Sequence, residues 1–326
     1  MAIHTQGGVM LYLFGLLISC TGTIQTDPDT NDDGIINNDE QWLEDCPIES
    51  PELRMVDVGD VTLQVACQGK GPTIVLLHGF PEFWYSWKKT MNELAGSYRL
   101  IVPDQRGYNI SDKPSEIASY ESATLVSDIS HLISKVSEDP VVMVGHDWGG
   151  PIAWGTTHDN PDMVRLMISA NGPHPDIMTN LLLTDPEQQE ASSYMDWFIQ
   201  EDTEETLINN DCAMLDSFFD GVLDEEEREV YHEAWLQEDA IKSGLNWYRA
   251  NLAENGAMIS DVTIDVPTLV LWGLADTALL PQQLDGLDAY APDIEVVTYE
   301  GVSHWIEHEI PTEIAFEMDA FIQSHN

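Results

Sequence analysis

Apolar residues fall along this chain in short continuous runs, separated by longer amphipathic stretches. Runs occur at residues 72–77, 99–102, 141–144, 164–170, 266–273 and 294–298. Continuous apolar runs of this length are strands buried on both faces, as in a parallel sheet. Between them, residues 83–94 place Trp84, Trp87, Met91 and Leu94 on one helical face. Residues 122–136 repeat Leu125, Ile129, Leu132, Ile133 and Val136 at helical spacing, and residues 312–323 read as a last helix. The alternation predicts an α/β fold, a mostly parallel sheet with helices on both faces and ligands at the carboxyl ends of its strands. Ahead of this, residues 53–58 and 61–67 are strand-like and meet at Gly59-Asp60, a hairpin signal. The pattern changes over residues 172–262, which are acidic, rich in Trp and Tyr, and helical throughout. They predict a helical lid inserted into a core built from residues 51–171 and 263–326, with Pro173-His174-Pro175 and Asp265-Val266-Pro267 as entry and exit. Lids of this kind exclude water and line substrate pockets.

One run carries unusual chemistry at its end. Val141-Val142-Met143-Val144 leads into Gly145-His146-Asp147-Trp148-Gly149-Gly150. Strand, Gly-X-Asp-X-Gly and helix in that order form a nucleophile elbow, with a carboxylate where many hydrolases carry Ser. The glycines permit a sharp turn, and the following helix points its N-terminal N–H groups at developing negative charge. Two later strand ends supply partners. Asp276 follows the strand ending at Gly273, and His304 follows the strand ending near residue 298. The order Asp147, Asp276, His304 is nucleophile, acid, base. His304 and His308 are also spaced as on a zinc helix, but Trp305 stands where that motif needs Glu, so no zinc site is predicted.

The charge narrows the partners. Twelve basic residues face 58 acidic ones, a net charge of -46. Such a surface repels nucleic acid and anionic lipid, and disfavours an anionic substrate. It reads as a solvated, salt-tolerant surface. At the N terminus, residues 9–18 form an apolar run too short to span a bilayer. The run fits a secretory signal over residues 1–20, and Leu17-Ile18-Ser19-Cys20 resembles a bacterial lipobox, although the segment before it holds no Lys or Arg. The expectation is an exported protein of the bacterial periplasm, envelope or exterior, tethered to a membrane if Cys20 is lipidated. An acidic linker follows over residues 21–50. Within it Asp29, Asn31, Asp33, the Ile35 carbonyl and Glu40 match a calcium loop at every specified position, with Gly34 at the turn, which predicts a structural Ca²⁺. An export route would let Cys46 and Cys67 pair, leaving Cys212 as a free thiol or a small buried residue.

His78-Gly79-Phe80-Pro81, the hexapeptide at 145–150 and the acid-then-His ending together resemble the epoxide hydrolase family of α/β-hydrolases, over roughly residue 53 to the C terminus. The resemblance implies that Asp147 attacks an epoxide carbon to form an ester. His304, held by Asp276, would then activate water, with the Phe80 and Trp148 backbone N–H groups as the oxyanion hole. It also implies two lid tyrosines that protonate the epoxide oxygen. Asn246-Trp247-Tyr248-Arg249 matches one motif, and Tyr194 in Tyr194-Met195-Asp196-Trp197-Phe198 fits the other by position. The substrate so implied is a small apolar epoxide, with no cofactor for catalysis. Two positions depart from the family pattern: Asn109 and Ser303 stand where Gly is usual. The related haloalkane dehalogenases share the Asp nucleophile and the Trp after it. They usually carry Asn where this chain has Phe80, and they lack the paired tyrosines. A fluoroacetate-type dehalogenase would need Arg in place of Trp148. A third reading is a non-catalytic binding protein on the same scaffold.

Overall fold

Eight strands pair in the order β1-β2-β4-β3-β5-β6-β7-β8 in the computed structural model, which describes residues 45–326 apart from 254, 255 and 257. The signal segment, Cys20 and the calcium-loop residues Asp29, Asn31, Asp33, Ile35 and Glu40 therefore lie outside the described residues. Strands β3 (Thr73–Leu77), β4 (Arg99–Pro103), β5 (Val141–His146), β6 (Val164–Ala170), β7 (Thr268–Gly273) and β8 (Ile294–Tyr299) run parallel. The four apolar residues that begin β5 are each 0% exposed. Burial of such side chains stabilises the fold by about 1.5–3 kcal/mol apiece.

At one edge β1 (Glu52–Asp57) and β2 (Thr62–Gly69) form the hairpin, and β2 continues antiparallel onto β4. Its turn needs Gly59, at φ +109°, whose N–H is held by the Asp57 carboxylate. Cys46 and Cys67 are joined in a disulfide with Cα atoms 5.8 Å apart, tying the segment before β1 to the middle of β2. Closing a loop of this length is worth about 3 kcal/mol. Cys212 is free and buried, and burial, with Asp211 and Asp216 adding, pushes its thiol up to about 11, which makes it inert to exchange.

Helices α1 (Lys88–Leu94), α2 (Ser122–Val136) and α3 (Gly149–Asp159) alternate with the strands. Six more, α4 (Pro175–Thr184), α5 (Pro186–Ala191), α6 (Tyr194–Phe198), α7 (Thr203–Phe218), α8 (Glu225–Trp235) and α9 (Ala240–Leu252), form the insertion between β6 and β7. The α7 segment is broken by non-helical residues 209–212. A clasp closes the base of the insertion. The His174 imidazole lies 3.1 Å from the Val262 carbonyl, and Asp176 accepts the N–H groups of Asp261 and Val262. Burial holds the His174 pKa down to about 4, so the clasp stays neutral on the histidine side. Short α10 (Ile306–Glu309) and α11 (Pro311–Ser324) end the chain. Among the described residues, no helix is long and apolar enough to cross a membrane.

The register sets up the site. Leu77 of β3 lies beside Gly145 of β5, His146 beside Ala170 of β6, and Gly273 of β7 beside Tyr299 of β8. Residues just past these ends, from 78, 147, 171, 274 and 300 onward, emerge on one edge of the sheet.

Candidate active site

The elbow is built by a strained turn. Asp147 sits at φ +47°, a left-handed conformation costing an L-residue about 1–2 kcal/mol. The arms of the turn close tightly: a Cβ on Gly145 would strike the Gly149 carbonyl, and one on Gly149 would strike Leu77 and His78. Only glycine allows β5 and α3 to approach this closely. The turn lifts the Asp147 carboxylate to the sheet edge, where it is 9% exposed. There its Oδ1 accepts the Phe80 N–H at 2.8 Å. Trp148, the other residue assigned to the oxyanion hole, is the N-cap of α3. The helix N-terminus thus stands beside the carboxylate.

His304 approaches from the opposite side. Its Nε2 lies 3.6 Å from Asp147 Oδ2, and its Nδ1 lies 2.7 Å from Asp276 Oδ2. Asp276 is itself fixed. Its Oδ1 accepts the N–H groups of Ala278 and Leu279 at 2.8 and 2.9 Å, and its Oδ2 accepts the Asn171 amide at 2.8 Å. Burial pushes the Asp276 carboxyl up, but the His304 charge and these hydrogen bonds outweigh it and hold the group below its ordinary value. Burial pushes His304 down, yet the charges of Asp276 and Asp147 lift it well above the usual imidazole range. Two acids on one imidazole make His304 a proton holder while Asp147 is ionised.

The lid brings both tyrosines to the same place. Tyr194 begins α6 and Tyr248 lies in α9. Together with Asp147 and His304 they line a cavity of about 540 Å³. Burial raises both phenols well above the ordinary tyrosine value, and the Asp147 charge raises them further. The Tyr248 ring meets Phe80, Trp148 and Phe198 edge-on, with centroids 5.6, 5.1 and 5.1 Å away. Phe80 and Trp148, assigned to the oxyanion hole, thus also fix the second tyrosine. Trp197, Phe198, Phe218 and Trp305 complete the cavity wall, and Asp220 stands exposed in its lining. A much smaller pocket of about 30 Å³ also has Asp147 in its wall, with Trp148, Met178, Met195, Met258 and Leu279.

Known proteins share this arrangement of chain. A family model for the alpha/beta hydrolase fold matches residues 72–309. An AB hydrolase superfamily protein of Bacillus subtilis (strain 168), YfhM, is 38% identical over 275 residues, covering 81% of this chain and 95% of that protein. Epoxide hydrolase 1 of Caenorhabditis elegans is 31% identical, over 85% of this chain and 72% of that protein. The crystal structure of a Bacillus megaterium epoxide hydrolase bound to an inhibitor superposes with a TM-score of 0.78 at 30% identity, over 83% of this chain and 100% of that one. The chain belongs to the epoxide hydrolase family of α/β-hydrolases. It is an enzyme.

In this epoxide hydrolase the two departures from the family pattern have local explanations. Asn109 sits at φ +45°, a conformation Asn tolerates, and its amide donates to Asp104 at 2.9 Å. Ser303 hydrogen-bonds the Glu309 carboxylate through its hydroxyl and its N–H, which anchors the loop carrying His304. Epoxide hydrolases of this fold need no cofactor. Sequence reasoning missed Asn171, which positions Asp276. Its signal was its place directly after a strand, beside the elbow. It also missed a buried group behind His304, made of Glu82, His146, Glu307 and His308.

Proposed function

We propose that this enzyme opens small apolar epoxides to vicinal diols through an ester on Asp147. One observation carries the reading. A carboxylate gripped by a backbone N–H and a histidine shares a cavity with two protonated phenols. In the first step Asp147 attacks an epoxide carbon, the ring C–O bond breaks, and Tyr248 with Tyr194 protonates the departing oxygen. In the second, His304 first gives its proton to the tyrosinate, then takes one from water, and the hydroxide adds to the Asp147 Cγ. The Phe80 and Trp148 N–H groups hold the oxyanion. Collapse expels the diol oxygen, which takes the proton from His304, and the acid left on Asp147 returns its proton to His304.

The cavity shapes suggest the substrate class. The large aromatic-walled space takes a bulky apolar substituent, whereas the pocket of about 30 Å³ has room for roughly one water or methyl group. Terminal aryl epoxides such as styrene oxide are expected to react with kcat/KM at least about ten-fold above trans-stilbene oxide. Diol formation followed by chromatography tests this. Bromide release from 1-bromobutane without diol from any epoxide would make the protein a dehalogenase instead.

Export accompanies this proposal. The Cys46–Cys67 disulfide is a bond that oxidising compartments preserve, and the signal-like segment at 1–20 supplies a route. Lipidation of Cys20 and calcium binding at 29–40 belong to the same reading. Fractionation of expressing cells is expected to place the protein in the envelope or medium. Recovery of the reduced, full-length chain in the cytoplasm would remove the proposal.

A further inference from the structure

Behind the catalytic imidazole lies a sealed polar cluster that the proposed chemistry does not touch. Glu82 comes from the loop after β3, His146 from the last position of β5, Tyr231 from α8, and Glu307 and His308 from α10. Glu82 is 1% exposed, His308 6%, and the other three 0%. The Glu82 carboxylate is the hub. Its Oε2 lies 2.9 Å from His146 Nδ1, its Oε1 lies 3.0 Å from His308 Nε2, and the Tyr231 hydroxyl donates to it at 3.4 Å.

The cluster meets the active site at a hydrogen bond, and the centroids of the His146 and His304 rings lie 4.8 Å apart. His146 Nε2 lies 2.9 Å from the backbone carbonyl of His304. A carbonyl only accepts, so Nε2 carries hydrogen there. A backbone carbonyl at the residue that bears the base is thus tied to a buried carboxylate by way of one ring.

Glu307 is the odd member. Its Oε1 lies 3.4 Å from His146 Nδ1 and 3.9 Å from His308 Nε2. Neither of its oxygens accepts a hydrogen bond, and one of them lies within 4.8 Å of an oxygen of Glu82. Two ionised carboxylates side by side in a dry interior repel strongly, and one proton between them removes the repulsion. We propose that Glu307 is held as the neutral acid, donating its proton to Glu82, and that this pair fixes the backbone of His304 through His146. Glu307 is then a positioning residue for ester hydrolysis, a role that rests on the ester mechanism proposed above.

The electrostatics agree. Burial raises the Glu307 carboxyl well above its ordinary value, with the charge and hydrogen bond of Glu82 adding; its own backbone and the charge of His304 oppose only weakly. Burial also pushes Glu82 up, but His146 and His308 outweigh it and hold it well below its ordinary value. One acid and one carboxylate is the outcome such a split dictates. The titratable groups facing Glu307 are Glu82, His146, His304 and, on its own helix, His308, with Tyr231 across the hub.

A raised carboxyl contributes stability that is complete below its unfolded pKa and is lost as pH rises towards its folded one. Glu307→Gln keeps a donor to Glu82 and has no proton to lose. Its melting temperature is therefore expected to match wild type near pH 5 and to exceed it increasingly towards pH 9, by at least about 3 °C. A difference equal at every pH overturns the shared proton, as does finding one equivalent of zinc or manganese per chain. The positioning role is read in single turnovers with styrene oxide. Glu307→Gln is expected to retain wild-type ester hydrolysis, whereas Glu307→Leu slows that step on the order of ten-fold or more and leaves ester formation within about two-fold. Equal slowing of both steps by Glu307→Leu overturns positioning. If Glu307→Leu does not fold, slowed hydrolysis in Glu307→Gln overturns it and retained hydrolysis supports it. Absence of any ester in wild type would sink the ester mechanism and with it the positioning role, while the melting comparison still decides the proton.

Discussion

Replacing His304 by Gln is expected to give an enzyme that reacts once and stops. Asp147 keeps its Phe80 N–H partner and its cavity, and the tyrosines keep their places, so the nucleophilic step survives. The ester then has no base to activate water. Mixing His304→Gln protein with styrene oxide should raise its mass by that of one epoxide, on the peptide that contains Asp147. Steady-state diol formation should fall by about 10⁴-fold, equivalent to about 5.5 kcal/mol of transition-state stabilisation. Normal turnover, or an adduct on any other residue, would sink the mechanism.

On the proposed mechanism, the same geometry makes His304 a base only after the ester forms. In the resting enzyme Asp147 and Asp276 both hold its pKa well above the ordinary value. Esterification removes the Asp147 charge and leaves Asp276 alone. His304 then gives up its proton more readily at the moment a base is required. Because hydrolysis needs the neutral ring, its rate should rise with pH and level off. The midpoint should lie below the pKa of His304 in the free enzyme.

Much of this site could be read from residue order because it sits at strand ends. Val141 to Val144 can hardly be anything but a buried strand, and the glycines at 145 and 149 leave few alternatives to a tight turn. Asp276 and His304 follow strands in the same way. What the sequence hid is what depends on register and on helix faces. Glu82, His146 and Glu307 are far apart along the chain. They meet because Leu77 pairs with Gly145 and because α10 turns its second residue inward. No local pattern marks that. Sequence alone leaves the Cys46–Cys67 pair open for a similar reason, since pairing depends on where the segment before β1 lies. Asn171 carries no mark of its role, because an Asn after a strand ordinarily signals only a turn.

The lid tyrosines carry the other large effect. Changing both Tyr194 and Tyr248 to Phe should abolish ester formation, by about 10³-fold or more, because the ring oxygen would have to leave as a bare alkoxide. Either single change should cost less, since the remaining phenol still reaches the cavity, and Tyr248→Phe should cost more than Tyr194→Phe. Tyr248 is 2% exposed and braced by three rings, whereas Tyr194 is only partly buried. The hydrolysis of an ester already formed should be nearly unchanged, because Phe80, Trp148, His304 and Asp276 are untouched. The sign of the pH effect follows from the raised phenols. Burial and the Asp147 charge keep both protonated above the ordinary tyrosine range, so ester formation should show no alkaline loss up to about pH 10. Rapid-quench measurement of the ester in wild type and in the three variants checks this. Equal losses in both steps would mean that the tyrosines hold the lid together and do not donate the proton.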